Sequence, residues 1–197
     1  MYKAIIFDFG GIFSMDDDIK EFWKNNATKL KIDPQEANET GIPIWLEARI
    51  GKIDSNMFWE KLGPLAGMSA VEFKRYFIGY TGFRDELLDY VKNNLRGKYK
   101  LAILSNQIES WLEPILEEKK FREIFEVIVT SYETGFAKPD LEIYKKTLEK
   151  LDVQADGCIY IDDMIKNLEP AKALGMKTIE FKNYNQCIED LEKILGN

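Results

Sequence analysis

The chain opens on an apolar run, "KAIIFDF" at 3–9, that carries one carboxylate, Asp8, near its end. Three further runs, "YKLAILSN" at 99–106, "FEVIVTS" at 125–131 and "CIYIDD" at 158–163, are equally rich in apolar and β-branched residues, and "KTIEF" at 177–181 is a weaker fifth. None shows strict polar alternation, which predicts strands buried on both faces. Between them, apolar positions recur at helical spacing in "ELLDYVKNNL" at 86–95, "IESWLEPILEEK" at 108–119, "LEIYKKTLEKL" at 141–151 and "MIKNLEPAKALG" at 164–175, the last closing on a glycine cap. Strand alternating with helix predicts an α/β fold with a doubly wound parallel sheet. An eight-stranded α/β barrel needs roughly 250 residues, more than the 197 present.

One interval breaks the alternation. From about Met15 to about Gly82 there is no convincing strand, only aromatic-rich helical patterns: "DDDIKEFWKNNATKLKI", "PIWLEARI", "DSNMFWEKL" and "AVEFKRYFIGY". Asp54 or Ser55, and Ser69, suit the N-caps of two of these helices. An all-helical block after the first strand fits a lid, and fits equally a cover on one side of the sheet.

Composition narrows the chemistry. A net charge of −7 and a pI near 4.9 argue against a nucleic-acid partner. The N-terminal apolar run is too short for a signal peptide, and no stretch reaches membrane-spanning length, so the expectation is a cytoplasmic protein that does not enter a membrane. Cys158 and Cys187 lack C-x-x-C spacing and read as reduced, packed thiols. The absence of histidine removes Ser-His-Asp and Cys-His triads and His-ligated zinc. Catalysis would fall to carboxylates, lysine, hydroxyls, backbone or a hard metal.

In an open parallel sheet, ligands bind beyond the carboxyl ends of the strands. Asp8, Ser105, Asn106, Asp162 and Asp163 stand at such ends, and Lys138 in "GFAKPD" follows the third strand, with Pro139 to fix the loop and Asp140 to cap the next helix. Singly, each has a plain structural explanation as a turn, cap or solvated charge. Jointly, at one edge of one sheet, they suit displacement at phosphorus. Crowded carboxylates call for a hard cation such as Mg²⁺. A carboxylate could then attack a phosphoryl group, with Lys138, Ser105 and backbone N–H groups stabilising the oxygens, and with glycines after Asp8 allowing close approach.

Four motifs in order, "IIFDFGGIF", "LAILSNQ", "TGFAKPDLEIYKKTLEKLDV" and "CIYIDDMIKNLEPAKALGM", resemble the haloacid dehalogenase-like (HAD) hydrolase superfamily over essentially the full chain. The resemblance implies a Rossmann-like core at 1–14 and 83–197, with a small helical cap at 15–82. It implies Asp8 as nucleophile and metal ligand, the Gly10 carbonyl as a second ligand, Ser105 and Lys138 as catalytic and phosphate-binding groups, and Gly11 and Asn106 beside the phosphate. Asp163 ranks first and Asp162 second as further metal groups, because Asn167 falls where many members carry a later acid. The implied activity is an Mg²⁺-dependent phosphatase acting on a small phosphorylated metabolite, a sugar phosphate being one candidate. Gly10 departs from the pattern, since most phosphatases of the superfamily place a proton-donating Asp there. A D-x-G-[GN] first motif nevertheless resembles a subgroup with active sugar-phosphate phosphatases. Two alternatives stay open: a non-catalytic or weakly active homologue that binds a phosphorylated ligand or a protein, and a metal-independent haloacid dehalogenase, against which the paired acids of "IDDM" speak. Trp45, Arg49 and Lys52 are the cap residues placed to touch a leaving group, and core packing or solvation explains each as well.

Overall fold

In the computed structural model, which describes residues 2–15 and 18–196, the five apolar runs are strands: β1 (Ala4–Phe7), β2 (Lys100–Ser105), β3 (Val127–Thr130), β4 (Cys158–Asp162) and β5 (Lys177–Glu180). They form one parallel sheet in the order β3-β2-β1-β4-β5, with Phe7 opposite Ile103 on one side and Ile161 on the other. Alternate residues enter separate cores. Ile5, Phe7, Ile103 and Ile161 face one way, and Ala4, Ile6, Ala102 and Tyr160 the other. Both faces are covered, which is why the strands read as continuous apolar runs. Chain order reverses beside β1, so the switch point falls where Asp8 leaves that strand.

Helices α1 (Ile19–Leu30), α2 (Pro34–Ala48), α3 (Asn56–Leu65) and α4 (Ala70–Tyr80) follow β1, and α5 (Asp85–Tyr90) leads through a π-helical turn, Val91–Leu95, to β2. Then come α6 (Glu109–Glu118) and α7 (Phe121–Ile124) before β3, α8 (Ser131–Thr134) and α9 (Leu141–Leu151) before β4, α10 (Ile165–Ala173) before β5, and α11 (Tyr184–Leu195) last. Leu87 of α5, Leu112 of α6 and Leu191 of α11 cover the Phe7 face, while Tyr144 of α9 and Leu168 of α10 cover the Ile6 face.

The block α1–α4 is held by aromatic packing. Trp23 stacks on Phe73 at 5.3 Å, Phe22 meets Phe77 at 4.5 Å, and Phe77 turns its edge to Trp111 of α6 at 5.4 Å. Local capping sets the helix starts. Asp18 and Asp33 accept backbone N–H bonds at the heads of α1 and α2, and Ser69 with Glu72 forms a capping box on α4. At α3 the expected alternatives divide their work: Asp54 accepts from Asn56 N–H at 2.8 Å, whereas the Ser55 hydroxyl accepts from Ser110 N–H of α6 at 3.0 Å. Entry and exit of the block lie side by side, since Ser14 bridges Phe83 and Met15 N–H donates to the Gly82 carbonyl at 2.8 Å. The "DDD" that opens the first helical pattern includes Asp16 and Asp17, which lie outside the described residues.

Two elements differ from the sequence reading. The helix expected over 86–95 changes to π spacing after Tyr90, with Arg96 N–H bonding the Val91 carbonyl at 3.0 Å. The wider turn keeps Leu95 buried on the same face as Val91. Helix α11 is absent from that reading, although Asn183 caps its start and Gly196, at φ 82°, closes it. Both cysteines are free and buried. Among the described residues, no helix is long and apolar enough to cross a membrane.

Candidate active site

The β1 ladder continues one residue past the strand, with Asp8 N–H donating to the Ile161 carbonyl at 2.8 Å. Asp8 therefore projects from the carboxyl end of the central strand. Its Oδ1 accepts from its neighbour Phe9 N–H at 2.6 Å and lies 2.7 Å from Lys138 Nζ. The same ammonium reaches Asp162 Oδ2 at 2.8 Å. One buried lysine thus bridges the ends of β1 and β4, although Lys138 itself belongs to the loop after α8. That loop is clamped to β2: Asn106 Oδ1 accepts from Lys138 N–H, and Asn106 Nδ2 donates to the Lys138 carbonyl, each at 2.8 Å. Asp140 caps α9 immediately beyond, accepting from Glu142 N–H.

Asp162 is fully buried and its oxygens are fully engaged. Oδ1 accepts from Met164 N–H at 2.8 Å and from Asn167 Nδ2 at 3.0 Å; Oδ2 accepts from Lys138, from Asn167 at 3.1 Å and from the Tyr160 hydroxyl. Asp163, the next residue, is exposed, and its carboxylate lies against Gly11. Gly11 has φ 69°, and a Cβ built there would meet Asp163 Oδ2 at 2.4 Å. Both the left-handed backbone and the contact require glycine. Gly10 sits between Asp8 and Gly11 in a bridge to Ser14, and Ser105 is buried at the end of β2. Ligand oxygens of Asp8, Asp162 and Asp163 all lie within 4.8 Å of one another. Such a set of hard oxygen donors fits a hard divalent cation.

The charges are unequal. Burial, opposed by Lys138 and reinforced by the Asp162 charge, pushes the Asp8 carboxyl well above the ordinary carboxylate range. Burial also acts upward on Asp162, but Lys138 and the hydrogen bonds from Tyr160 and Met164 outweigh it and hold that carboxyl below its usual value. Burial acts downward on Lys138, and the two carboxylates more than offset it, so the ammonium stays charged. Asp162 is thus the fixed anion of the pair that Lys138 holds. Asp8 is the carboxylate whose charge a bound cation would favour.

The structure brings together Asp8, Lys138, Asp162, Asp163 and Gly11, and places Ser105 and Asn106 on the adjoining strand end. Sequence reasoning missed the groups that hold them. Tyr160 reads as one more apolar strand residue. Gln107 follows the Ser-Asn pair, and its Oε1 accepts from Trp45 Nε1 of α2 at 3.1 Å. Arg84, at the head of α5, donates to the Gly11 carbonyl at 3.2 Å and to the Ile12 carbonyl, pinning the loop that follows Asp8.

A family model described as haloacid dehalogenase-like hydrolase matches residues 69–181, a stretch that contains Ser105, Lys138, Asp162 and Asp163. The chain belongs to this family of hydrolases. The HAD membership agrees with the motif resemblance and with the parallel sheet. Among curated proteins, the chain is 28% identical over 209 residues to a D-ribitol-5-phosphate phosphatase of Bacteroides thetaiotaomicron, covering 100% of both. It is 25% identical to a sesquiterpene phosphatase of Aspergillus oryzae, over 99% of this chain and 97% of that one. Among solved structures, a HAD family enzyme of B. thetaiotaomicron in complex with magnesium and inorganic phosphate superposes with a TM-score of 0.76 at 23% identity, over 92% of this chain and 95% of that one.

Proposed function

We propose that the protein is an Mg²⁺-dependent phosphatase that hydrolyses a small phosphorylated metabolite through an aspartyl-phosphate on Asp8. The observation that carries this reading is the Asp8–Lys138–Asp162 chain of contacts, with Asp163 within 4.8 Å of both acids. Two of the relatives are named phosphatases, and one structural neighbour holds magnesium and phosphate. Asp8 and Asp163, with the Gly10 carbonyl, would hold the cation, and Asp162 is the weaker ligand because Lys138, Tyr160, Asn167 and Met164 already occupy its oxygens. When bound, Mg²⁺ would neutralise the crowded carboxylates and the phosphoryl oxygens.

The chain's own residues supply the rest. Phe9 N–H and Lys138 orient Asp8 through Oδ1, and Oδ2 is the attacking oxygen. Lys138 then balances charge on the transferring group, while the Ser105 hydroxyl and backbone N–H groups near Gly11 bind its oxygens. The ester P–O bond breaks as the Oδ2–P bond forms, the leaving oxygen takes its proton from water, and a second water then hydrolyses the acyl phosphate, releasing phosphate and regenerating Asp8. The helical block at 15–82 acts as a lid, a role supported by the paired entry and exit at Ser14 and Phe83 and by bonds from Trp45 to Gln107 in the loop after β2 and from Trp59 to Ser110 in the first turn of α6. Gly10 offers no general acid, a deficit of about 10²- to 10⁴-fold, so esters with good leaving groups should react best.

Phosphate release from p-nitrophenyl phosphate and from a panel of sugar phosphates, nucleotides and organic acid phosphates, with Mg²⁺ and with chelator, tests the reading. Metal-dependent turnover abolished by Asp8→Asn is expected. Gly10 favours one other reading, a homologue that binds a phosphorylated ligand without turnover. Tight binding of Mg²⁺ and beryllium fluoride with no ester hydrolysed across the panel would decide for it.

A further inference from the structure

Of the three residues that the sequence offers as contacts for a leaving group, Trp45, Arg49 and Lys52, the structure singles out one. Lys52 is solvent-exposed, and the Trp45 indole N–H is already spent on Gln107. Arg49, one helical turn beyond Trp45, lays its guanidinium over the Trp45 ring with 4.6 Å between Cζ and the ring centre. The group is half-buried, its buried Nε meets no acceptor, and no carboxylate among the described residues pairs with it. Burial alone lowers its pKa, with no acidic neighbour to offset the effect. A half-buried guanidinium whose face is stacked and whose buried Nε lacks an acceptor is an arrangement that an anion would complete.

Its position relates this cation to the reaction centre. Trp45, under the guanidinium, is tied to Gln107, two residues past Ser105. Two residues after Arg49, Gly51 at φ 70° lies so close to the segment following β3 that a Cβ built there would stand 2.5 Å from the Tyr132 carbonyl oxygen. Thr130, two residues before that carbonyl, pairs with Ser105 across the sheet. The end of α2 therefore sits over the carboxyl ends of β2 and β3, on the lid side of the Ser105 position.

We infer that Arg49 is a specificity residue: it receives a second anionic group, a carboxylate or a second phosphate, carried by the part of the substrate that leaves. This goes beyond the phosphatase reading and rests on it only for the identity of the group transferred. Arg49 binds and orients; it takes no part in bond making. The planar edge of the guanidinium suits the two oxygens of either anion, a fit that a lysine would not reproduce.

Calorimetric binding to the Asp8→Asn protein with Mg²⁺ tests it without turnover. Ligands are compared in pairs that differ in one group: terminally phosphorylated glycerate against glycerol phosphate for a carboxylate, and fructose bisphosphate against fructose monophosphate for a second phosphate. In at least one pair the doubly anionic ligand should bind about ten- to a hundredfold more tightly. Arg49→Gln should erase that difference, and Arg49→Lys should restore only part of it. Arg49→Met, which keeps an unbranched stem over Trp45, guards against a loss due to misfolding and should behave as the glutamine variant does. Equal affinities within both pairs, a preference that survives Arg49→Gln, or no binding of any ligand overturns the inference. Hydrolysis of p-nitrophenyl phosphate by the wild-type protein is scored separately. Its absence there and across the whole ester panel, alongside an Arg49-dependent preference, overturns the phosphatase reading and leaves Arg49 as the receiver of the second anionic group.

Discussion

Lys138 holds two carboxylates apart in a site from which water is nearly excluded, and that single placement sets the behaviour of the residues around it. Its side chain is 1% exposed, against 0% for Asp162 and 10% for Asp8. Removing the cation leaves Asp8 and Asp162 facing each other without compensation, a loss of about 3–5 kcal/mol for a broken buried pair. Lys138→Met is therefore expected to lower stability by that amount in urea unfolding; a change within experimental error would show that the carboxylates are not held as described. Gly11 gives a second prediction of this kind. Gly11→Ala forces a side chain into left-handed backbone, at about 1–2 kcal/mol, and drives its Cβ toward Asp163. Midpoint and Mg²⁺ affinity should fall together in one titration series, because the same carboxylate is displaced.

Among the elements, the strand ends carry the polar groups of the candidate site and the helices hold them in place. What the sequence showed well follows from this. Strands buried on both faces leave an unbroken apolar signal, and a polar residue at the end of such a run, as with Asp8, Ser105 or Asp162, stands out against it. The supporting groups are hidden by the same logic. Tyr160 has a strand-forming, apolar appearance, and only the fold shows its hydroxyl turned to Asp162. Gln107 and Arg84 act on residues 62 and 73 positions away, a separation that periodicity cannot span. Helix α11, which the sequence reading left out, does carry a helical signal in the four-residue spacing of its buried Cys187 and Leu191, whereas the π turn depends on which face Leu95 must bury. The seam between the helical block and α6 can be tested directly. Trp59 Nε1 donates to the Ser110 hydroxyl at 2.7 Å, and Trp59→Phe removes that bond while keeping most of the ring. A loss of about 1 kcal/mol is expected, with faster amide exchange in α3 and α4 than in the sheet. Uniform acceleration across both would mean that the block does not open as a unit.

For the whole molecule, the three acids are the feature that folding alone does not explain. Their ligand oxygens lie within 4.8 Å of one another at the sheet's carboxyl edge; burial, reinforced by the Asp162 charge and opposed by Lys138, raises the Asp8 carboxyl, and the cluster makes the folded state sensitive to a cation. Mg²⁺ at about a hundred times its dissociation constant should add about 2.7 kcal/mol to stability, seen as a rise in the thermal midpoint. Asp163→Asn should remove most of the rise. An undiminished rise in that variant would place the cation elsewhere.

The central claim is that Asp8 carries the phosphoryl group, and rapid acid quench of the protein during turnover of p-nitrophenyl phosphate, followed by mass spectrometry of its peptides, tests it most directly. The peptide containing Asp8 should gain one phosphoryl group in the presence of Mg²⁺, and should gain none in chelator or in Asp8→Asn. Turnover with no phosphoryl group on that peptide, or with the group on another residue, would contradict the account.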